Sequence, residues 1–319
     1  MLPWLALAAF VVVALAIDLR AGARERPSMR RALVWSLVWT GIGVAFAALV
    51  AFADGGEPAG EYLAGFLIEK SLSLDNLFVF AVLFSFFAVP EDQRRRVLLW
   101  GVAGAIVLRA LFILVGAAAL DTFAWFTYVL GVILALTAIK IARHGSEEVD
   151  PDKTLAMRLL RRVMPLSRDY DGERLVTREE GRRVGTPLLA ALVMVAAFDV
   201  MFAIDSIPAI FAVTRDTFIV FAANAFSLLG MVSLYFLLDG LLDRFRYLNV
   251  GLAAILAYVA AKLLLVDVWH PPIWLSLVVI AGALAAAALA SVWAERSERE
   301  DARKLRDVRD LGEAVVGEH

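Results

Sequence analysis

The chain has 319 residues, of which 61% are apolar and 20% charged, and its mean hydropathy is +0.76. Soluble globular domains are closer to half apolar, so this composition argues against a soluble protein. The absence of cysteine excludes disulfides, thiolate metal sites and cysteine nucleophiles, and the formal net charge of −2 gives no sign of nucleic-acid binding.

The apolar residues fall in nine blocks separated by short charged segments, which is typical of a polytopic membrane protein. About 20 residues of helix cross the hydrocarbon core, and every block except the short first one is long enough. Because lipid offers the backbone no hydrogen-bond partner, each span is expected to be helical. The sequence therefore predicts an all-α membrane helix bundle with about nine transmembrane helices, at residues 2–17, 33–53, 61–88, 97–118, 124–142, 187–213, 217–239, 249–266 and 272–293.

Lysine and arginine are distributed very unevenly between the loops on alternate sides of these spans. If residues 19–32 are cytoplasmic, 26 Lys and Arg lie in cytoplasmic segments and one, Arg215, lies in the outside loops. Cytoplasmic segments of membrane proteins carry such an excess. We therefore expect a membrane protein whose N-terminus is outside. Residues 1–293 would form one transmembrane domain, with a cytoplasmic loop at 143–186 and a cytoplasmic tail at 294–319.

The first block and the long loop each leave a choice of interpretation. Residues 2–17 have no basic residue ahead of the apolar core, so we interpret them as a retained helix instead of a cleaved signal peptide. The stretch KTLAMRLLRRVM at 153–164 fits either a basic amphipathic helix at the membrane surface or an ordinary topogenic loop. The tail fits a helical or a disordered solvated end.

An internal repeat is visible around buried acids. The stretch from Glu69 to Asn76 and the stretch from Asp199 to Ser206 each contain two acids six residues apart, followed by a small polar residue. The two spans run in opposite directions by the charge count, as in inverted-topology transporters. We predict two inverted three-helix units, spans 3–5 at 61–142 and spans 6–8 at 187–266, with the other spans peripheral.

Substrate sites in such folds lie near the membrane midplane, often on broken helices. Acids six residues apart on a regular helix point about 120° away from each other. For both acids to face one cavity, the helical turn between them must unwind or the two acids must lie at different depths. Pro208 in the second motif, and Ser71 and Ser73 in the first, indicate where a helix could be interrupted.

The buried acids are the candidate binding residues. Each ionised acid at the bilayer centre costs about 2.5–3.5 kcal/mol, so something must compensate them. Lys70 and Arg109 also lie within spans and could neutralise one acid each, which leaves a formal deficit of two charges that a divalent cation would close. The alternative is structural ion pairing without a cation. The four acids are Glu69, Asp75, Asp199 and Asp205.

The remaining polar residues of the motifs indicate the kind of ion. Carboxylates, the Asn76 amide, the Ser206 hydroxyl and freed carbonyls are hard oxygen ligands, which suit Mg²⁺, Ca²⁺ or Mn²⁺ better than copper or zinc. An oxyanion is disfavoured because acids outnumber bases. Asn224 is either a ligand or gate, or an interhelical hydrogen-bonding residue. We expect no tightly bound cofactor, and a divalent ion and the lipid bilayer as partners.

Several stretches closely resemble the TerC/Alx family, which is named for tellurium resistance and belongs to the lysine-exporter superfamily. The resemblance covers about residues 61–266, and one departure is that Met231 follows Gly230 where the family commonly has a basic residue. The matching stretches are EKSLSLDNLFVF, FAIDSIPAIFAVT, TPLLAALVMVAAFDV and SLYFLLDGLLDRFRYLNVGLAAILAYVAAKLLL.

The resemblance implies an inner-membrane Mn²⁺ exporter. By position it assigns metal binding to Glu69, Asp75, Asn76, Asp199 and Asp205. Proton counter-transport would fit, because a carboxylate binds either a proton or a metal. Two other classes remain open. The chain could be a non-transporting membrane scaffold that acts through its loop and tail. An intramembrane enzyme is less favoured, because the sequence has no GxGD, GxSxG or HExxH pattern.

Overall fold

A computed structural model describes residues 2–20, 28–144, 151–179, 181–238, 248–269, 271–291 and 293–294. These residues are mainly helical. The helices are α1 (Leu2–Arg20), α2 (Met29–Asp54), α3 (Gly56–Phe86), α4 (Glu91–Thr122), α5 (Phe126–His144), α6 (Leu155–Val163), α7 (Pro187–Phe211), α8 (Thr217–Leu228), α9 (Met231–Leu238), α10 (Leu248–Leu264) and α11 (Ile273–Ser291). A 3₁₀ turn at Pro151–Lys153 and a two-stranded antiparallel sheet of β1 (Val176–Glu179) and β2 (Arg182–Gly185) lie between α5 and α7.

The helices confirm the predicted all-α polytopic membrane bundle. Six stretches are long and apolar enough to cross a membrane: α2, α4, α5, α7, α11 and the combined run of α8 and α9. Helices α1 and α10 are shorter, and the 31-residue α3 carries the charged first motif. Many large apolar side chains point away from the protein, including Phe52, which is 93% exposed. Such surfaces suit contact with lipid.

Start signals in the sequence agree with the helix boundaries. The hydroxyl of Thr186 accepts a hydrogen bond from the Leu189 amide at 3.4 Å, and Pro187 occupies the first turn of α7. The carboxylate of Asp216 accepts from two amides at the start of α8, that of Phe218 at 2.8 Å and that of Ile219 at 3.2 Å. These side chains satisfy amides that a helix start leaves unpaired.

Helix α3 lies at the centre of the packing and contacts α2, α7 and α8. The helices of the two proposed units pack crosswise: α3 contacts α8, α4 contacts α7, and α5 contacts α10. If α3 is exchanged with α7, α4 with the combined α8 and α9, and α5 with α10, the same three pairs of contacting helices result. A two-fold relation between the units has this property, and the inverted repeat stays a prediction.

The loop between α5 and α7 contains its own folded elements. Residues 155–163 form a helix, as one of the two interpretations predicts, and Met157 packs its buried side chain against the core. The Gln93 amide donates to the Gly172 carbonyl at 3.0 Å, and the Tyr170 hydroxyl donates to the Phe87 carbonyl at 2.7 Å. The loop is thereby attached to the end of α3 and the start of α4. The predicted position of this helix at the membrane surface stays a prediction. The predicted tail lies outside the described residues after 294.

The two motif helices are continuous, so the unwinding considered for them is wrong. In α3 the Ser71 hydroxyl donates to the Leu67 carbonyl of its own helix at 2.6 Å, which leaves the helical turn intact. In α7, Pro208 removes the amide that would pair with the Ile204 carbonyl, yet the helix continues through it to Phe211. The interruption lies instead between α8 and α9, at Gly230, whose φ is +78°.

Candidate cation site

A buried ion cluster lies where α3, α4 and α7 meet. Glu69 and Arg109 are completely buried, and Asp199 is 2% exposed. The Arg109 guanidinium donates to Glu69 Oε1 and, at 3.4 Å, to Asp199 Oδ1. It also donates to the Ser206 hydroxyl at 3.2 Å. Each of the three helices therefore contributes a charged residue to one centre.

The cluster has fewer hydrogen bonds and less positive charge than its acids require. Glu69 Oε2 and Asp199 Oδ2 are buried and make no hydrogen bond within the described part of the chain. A buried polar atom without a partner costs about 1–3 kcal/mol, and more when charged. One guanidinium also cannot balance two carboxylates. The free oxygens are thus suited to accept a cation or a proton.

The small polar residues that close the motifs lie on the same helix faces as the first acids. Residues seven apart on a helix differ by only about 20° in direction. Ser206 accordingly reaches the same guanidinium as Asp199. Asn76, seven residues after Glu69 in α3, is also buried, at 3% exposure. Asp75 lies in α3, but its side chain is outside the described part of the structure.

Asp205 does not join the Arg109 cluster. Its half-buried carboxylate accepts a hydrogen bond from the Thr137 hydroxyl of α5 at 2.8 Å. Because α7 is a regular helix, Asp199 and Asp205 point in directions about 120° apart. The structure therefore brings Glu69 and Asp199 together and places Asp205 towards a different helix.

Among the described side chains, Lys70 contacts no acid, although the charge count had assigned it one. Its ammonium group donates to the Ser227 carbonyl at 3.1 Å and to the Leu229 carbonyl at 3.4 Å, at the end of α8. Arg109 contacts two acids by itself. Asn224 of α8 is buried, and its Nδ2 makes no hydrogen bond within the described residues.

The sequence did not identify Thr137, or the main-chain carbonyls of Ser227 and Leu229, as hydrogen-bond partners of the motif residues. Thr137 gave no signal, because it is a single polar residue within an apolar span. A signal for the carbonyls existed in Gly230, since glycine inside an apolar helix favours an interruption that frees carbonyls.

Two cavities lie at opposite ends of α3. One, of about 380 Å³, includes Glu61, Arg215 and Lys262 in its lining. Glu61 accepts a hydrogen bond from the Thr214 hydroxyl there at 2.6 Å. The other, of about 450 Å³, includes Phe87 and residues of the folded loop. The buried ion cluster is exposed to neither end, so this conformation is closed around it.

The described side chains contain no group of three or more His, Asp or Glu arranged to hold a metal. The described part of the centre therefore offers two carboxylates and the Ser206 hydroxyl. These are hard oxygen donors, and a tightly held metal would need further ligands.

Residues 54–299 match the model of the integral membrane protein TerC family. The chain belongs to the TerC family. This TerC protein is 44% identical over 291 residues to "Uncharacterized membrane protein STKORF319" of Myxococcus xanthus, an alignment that covers 91% of each chain. It is 42% identical over 305 residues to "Putative membrane-bound redox modulator Alx" of Escherichia coli (strain K12), covering 91% of this chain and 94% of the relative. It is 38% identical to the protein of the same name from Photorhabdus laumondii, covering 92% and 95%. No solved structure matches the chain.

Proposed function

We propose that this TerC-family protein exports a divalent cation, Mn²⁺ in the leading case, across the bacterial inner membrane. The observation that carries the proposal is the pair of unpartnered carboxylate oxygens, Glu69 Oε2 and Asp199 Oδ2, in a fully buried cluster. Intramembrane acids are costly and usually mark ion or proton pathways. Hard oxygen ligands favour Mn²⁺, Mg²⁺ or Ca²⁺.

Charge balance supports a divalent ion as cargo. Glu69, Asp199 and Arg109 together have a formal charge of −1 when ionised. Asp75, which we assign to the site from the motif, would bring the sum to −2, which one divalent ion neutralises. Arg109 would then act as an internal counterion that holds the acids when no metal is bound, and an arriving metal would compete with it for the carboxylates.

Protons are a natural counter-substrate in this scheme. A carboxylate that binds a metal must release its proton, so metal and proton binding exclude each other. The closed cluster lies between the cavities at the two ends of α3, and transport would require the helices to open alternately towards each end. We assign Asp205 to this pathway, on a separate branch with Thr137.

Flux of Mn²⁺ into proteoliposomes, measured with and without an imposed pH difference, tests the proposal. Glu69→Gln and Asp199→Asn each remove one negative charge and keep the side-chain shape, so Mn²⁺ flux should fall at least about tenfold. Glu57→Gln makes the same chemical change at an exposed position of α3 and should leave the flux unchanged. Equal flux in the three variants and the parent would show that the cluster is not the transport site.

A second function, that of a non-transporting membrane scaffold, is favoured by one observation. The loop between α5 and α7 is folded, and its helix α6 exposes Leu155, Leu159 and Val163 on one side. Such a face suits a protein partner. If the scaffold interpretation is correct, Leu159→Glu should abolish the manganese-tolerance phenotype in cells, while Asp199→Asn should retain it. The transport interpretation predicts the reverse.

The relatives named as redox modulators suggest an indirect link to redox balance. This chain has no cysteine, so thiol–disulfide exchange by its own residues is excluded. We propose that any redox effect in this protein arises through the cation that it moves and that the protein itself is not an enzyme.

A further inference from the structure

The interruption between α8 and α9 depends on one residue, Gly230. Gly230 has a φ of +78°, a conformation that favours glycine. A Cβ atom at this position would lie 2.5 Å from Cβ of Trp39 in α2. Neither the backbone conformation nor the packing therefore tolerates a side chain, and the helix must end here.

The end of α8 leaves main-chain carbonyls without helical partners, and these attract positive charge. The last four carbonyls of a helix lack amide donors, and the helix dipole adds partial negative charge. Two of the carbonyl oxygens here, those of Ser227 and Leu229, accept hydrogen bonds from Lys70 Nζ at 3.1 and 3.4 Å. The fully buried hydroxyls of Ser73 and Ser227 lie beside them, 3.3 Å apart.

Carbonyl and hydroxyl oxygens at the end of a broken helix are the ligands that bind Na⁺ or K⁺ in membrane proteins. We infer that the α8–α9 break is a monovalent-cation site whose resident cation is the tethered ammonium group of Lys70. The protein then holds its broken helix together without Na⁺ or K⁺. This inference goes beyond the proposed metal transport and does not depend on it.

Two substitutions at the same position separate this site from an ordinary structural contact. Lys70→Ala removes the ammonium group and leaves room at the carbonyls, so a free cation can enter. Lys70→Met removes the charge but fills most of the same space with an apolar side chain. Only the alanine variant should therefore become dependent on a dissolved cation.

The test is thermal unfolding of the purified full-length protein in NaCl, KCl or N-methylglucamine chloride at equal ionic strength. The parent should unfold at the same temperature in all three salts. Lys70→Ala should unfold earlier in N-methylglucamine and recover by about 3 °C or more in Na⁺ or K⁺, in a saturable manner. Lys70→Met should show no such recovery. Lys262→Ala, which removes a half-buried lysine of α10, controls for general salt effects.

Recovery by Na⁺ or K⁺ that is equal in Lys70→Ala and Lys70→Met, or absent from both, would overturn the inference. So would a Lys70→Ala protein that fails to fold in both NaCl and KCl while Lys70→Met folds. Because the measurement does not involve Mn²⁺, failure of the transport proposal would leave its outcome unaffected.

Discussion

At the scale of single residues, Arg109 connects the buried acids of α3 and α7. It is completely buried and bonds to Glu69, Asp199 and Ser206. Pairing does not make such a residue a net source of stability, because burying an ion pair costs nearly as much as the attraction returns. Its removal, however, leaves two acids in an apolar surrounding without a counterion. Arg109 thus offsets the free-energy cost of burying the acids, and that cost becomes measurable when Arg109 is replaced.

Replacement of Arg109 by Met should destabilise the protein by about 3–5 kcal/mol. Adding Glu69→Gln to Arg109→Met should restore part of this loss, because one of the uncompensated acids is then neutral, with a coupling of about 0.5–3 kcal/mol. Denaturant unfolding of the two single variants and the double variant measures the coupling. Arg158→Met, at an exposed arginine of α6, should change stability by less than about 0.5 kcal/mol. Additive effects of Arg109→Met and Glu69→Gln would contradict the described contact.

At the scale of helices, the location of the break decides which carbonyls are available. Helices α3 and α7 carry the motif acids and remain regular, and the acids are therefore distributed around each helix. The combined run of α8 and α9 is interrupted at Gly230 and offers carbonyl groups to Lys70. The hydrogen-bond acceptors of Arg109 are therefore side-chain oxygens, whereas those of Lys70 are main-chain carbonyl oxygens.

Gly230→Ala should destabilise the protein by at least about 1–3 kcal/mol, because alanine is strained at a φ of +78° and its Cβ would overlap Trp39. Thermal unfolding of the purified variant measures the effect. Gly41→Ala is the matched control, since Gly41 is helical and a Cβ there meets nothing within 4 Å. Alanine at position 41 should be neutral or stabilise by up to about 1 kcal/mol. Equal stability of both variants would show that the break does not require glycine.

The hairpin of β1 and β2 should loosen at acidic pH. A hydrogen bond from the Thr177 hydroxyl, followed by the nearby Arg174, lowers the pKa of Asp171 below its ordinary value. A carboxyl with a lower pKa in the folded state stabilises the fold above its unfolded pKa of about 3.9. That contribution is lost as pH falls below about 4, through the lower folded pKa.

Hydrogen-exchange protection of the amides in β1 and β2, corrected for intrinsic rates, should therefore decrease as pH falls through this range. Asp171→Asn should remove the pH dependence. Asp169→Asn should retain it, because Asp169 contacts Ser167 only through its main chain. Unchanged protection of the hairpin down to pH 2 would rule out a role for Asp171.

At the scale of the whole molecule, the two ends of the bundle differ in charge and in construction. The folded loop with its arginines is attached near Phe87 at one end of α3, and the cavity with Glu61 lies at the other end. The excess of Lys and Arg assigns the loop end to the cytoplasm. The orientation is a proposal, and the absence of native cysteine makes it easy to test.

Single cysteines at Glu173 in the loop and at Val268 after α10 should react from opposite sides of the membrane. The Val268→Cys variant, at an 80% exposed site, should react with a membrane-impermeant maleimide in intact spheroplasts. The Glu173→Cys variant, at a position whose side chain is 75% exposed, should react only after the membrane is permeabilised. The cysteine-free parent is the control. The opposite pattern would reverse the orientation, and labelling of both sites from one side would contradict the arrangement of the helices.

The sequence predicted the helices well and singled out the candidate acids, because both features follow from local composition. A block of about 20 apolar residues must become a helix in lipid, and an acid within such a block is unusual wherever its side chain points. Contacts between helices were less predictable. Counting charges assigned Lys70 to an acid, whereas the structure assigns it to main-chain carbonyls. A charge count contains no information on direction, and the direction depends on how α3 packs against α8.

The sequence alone determined that the chain is a membrane helix bundle of the TerC family with acids buried in its third and sixth spans, because hydrophobicity, loop charge and motif residues are properties of the chain itself. Only the tertiary structure decided that Glu69 and Asp199 share Arg109 while Asp205 turns to Thr137. It also decided that the helix break lies at Gly230. The physical reason is that hydrogen-bond partners on different helices are chosen by side-chain direction and helix packing, which depend on residues far apart in the sequence.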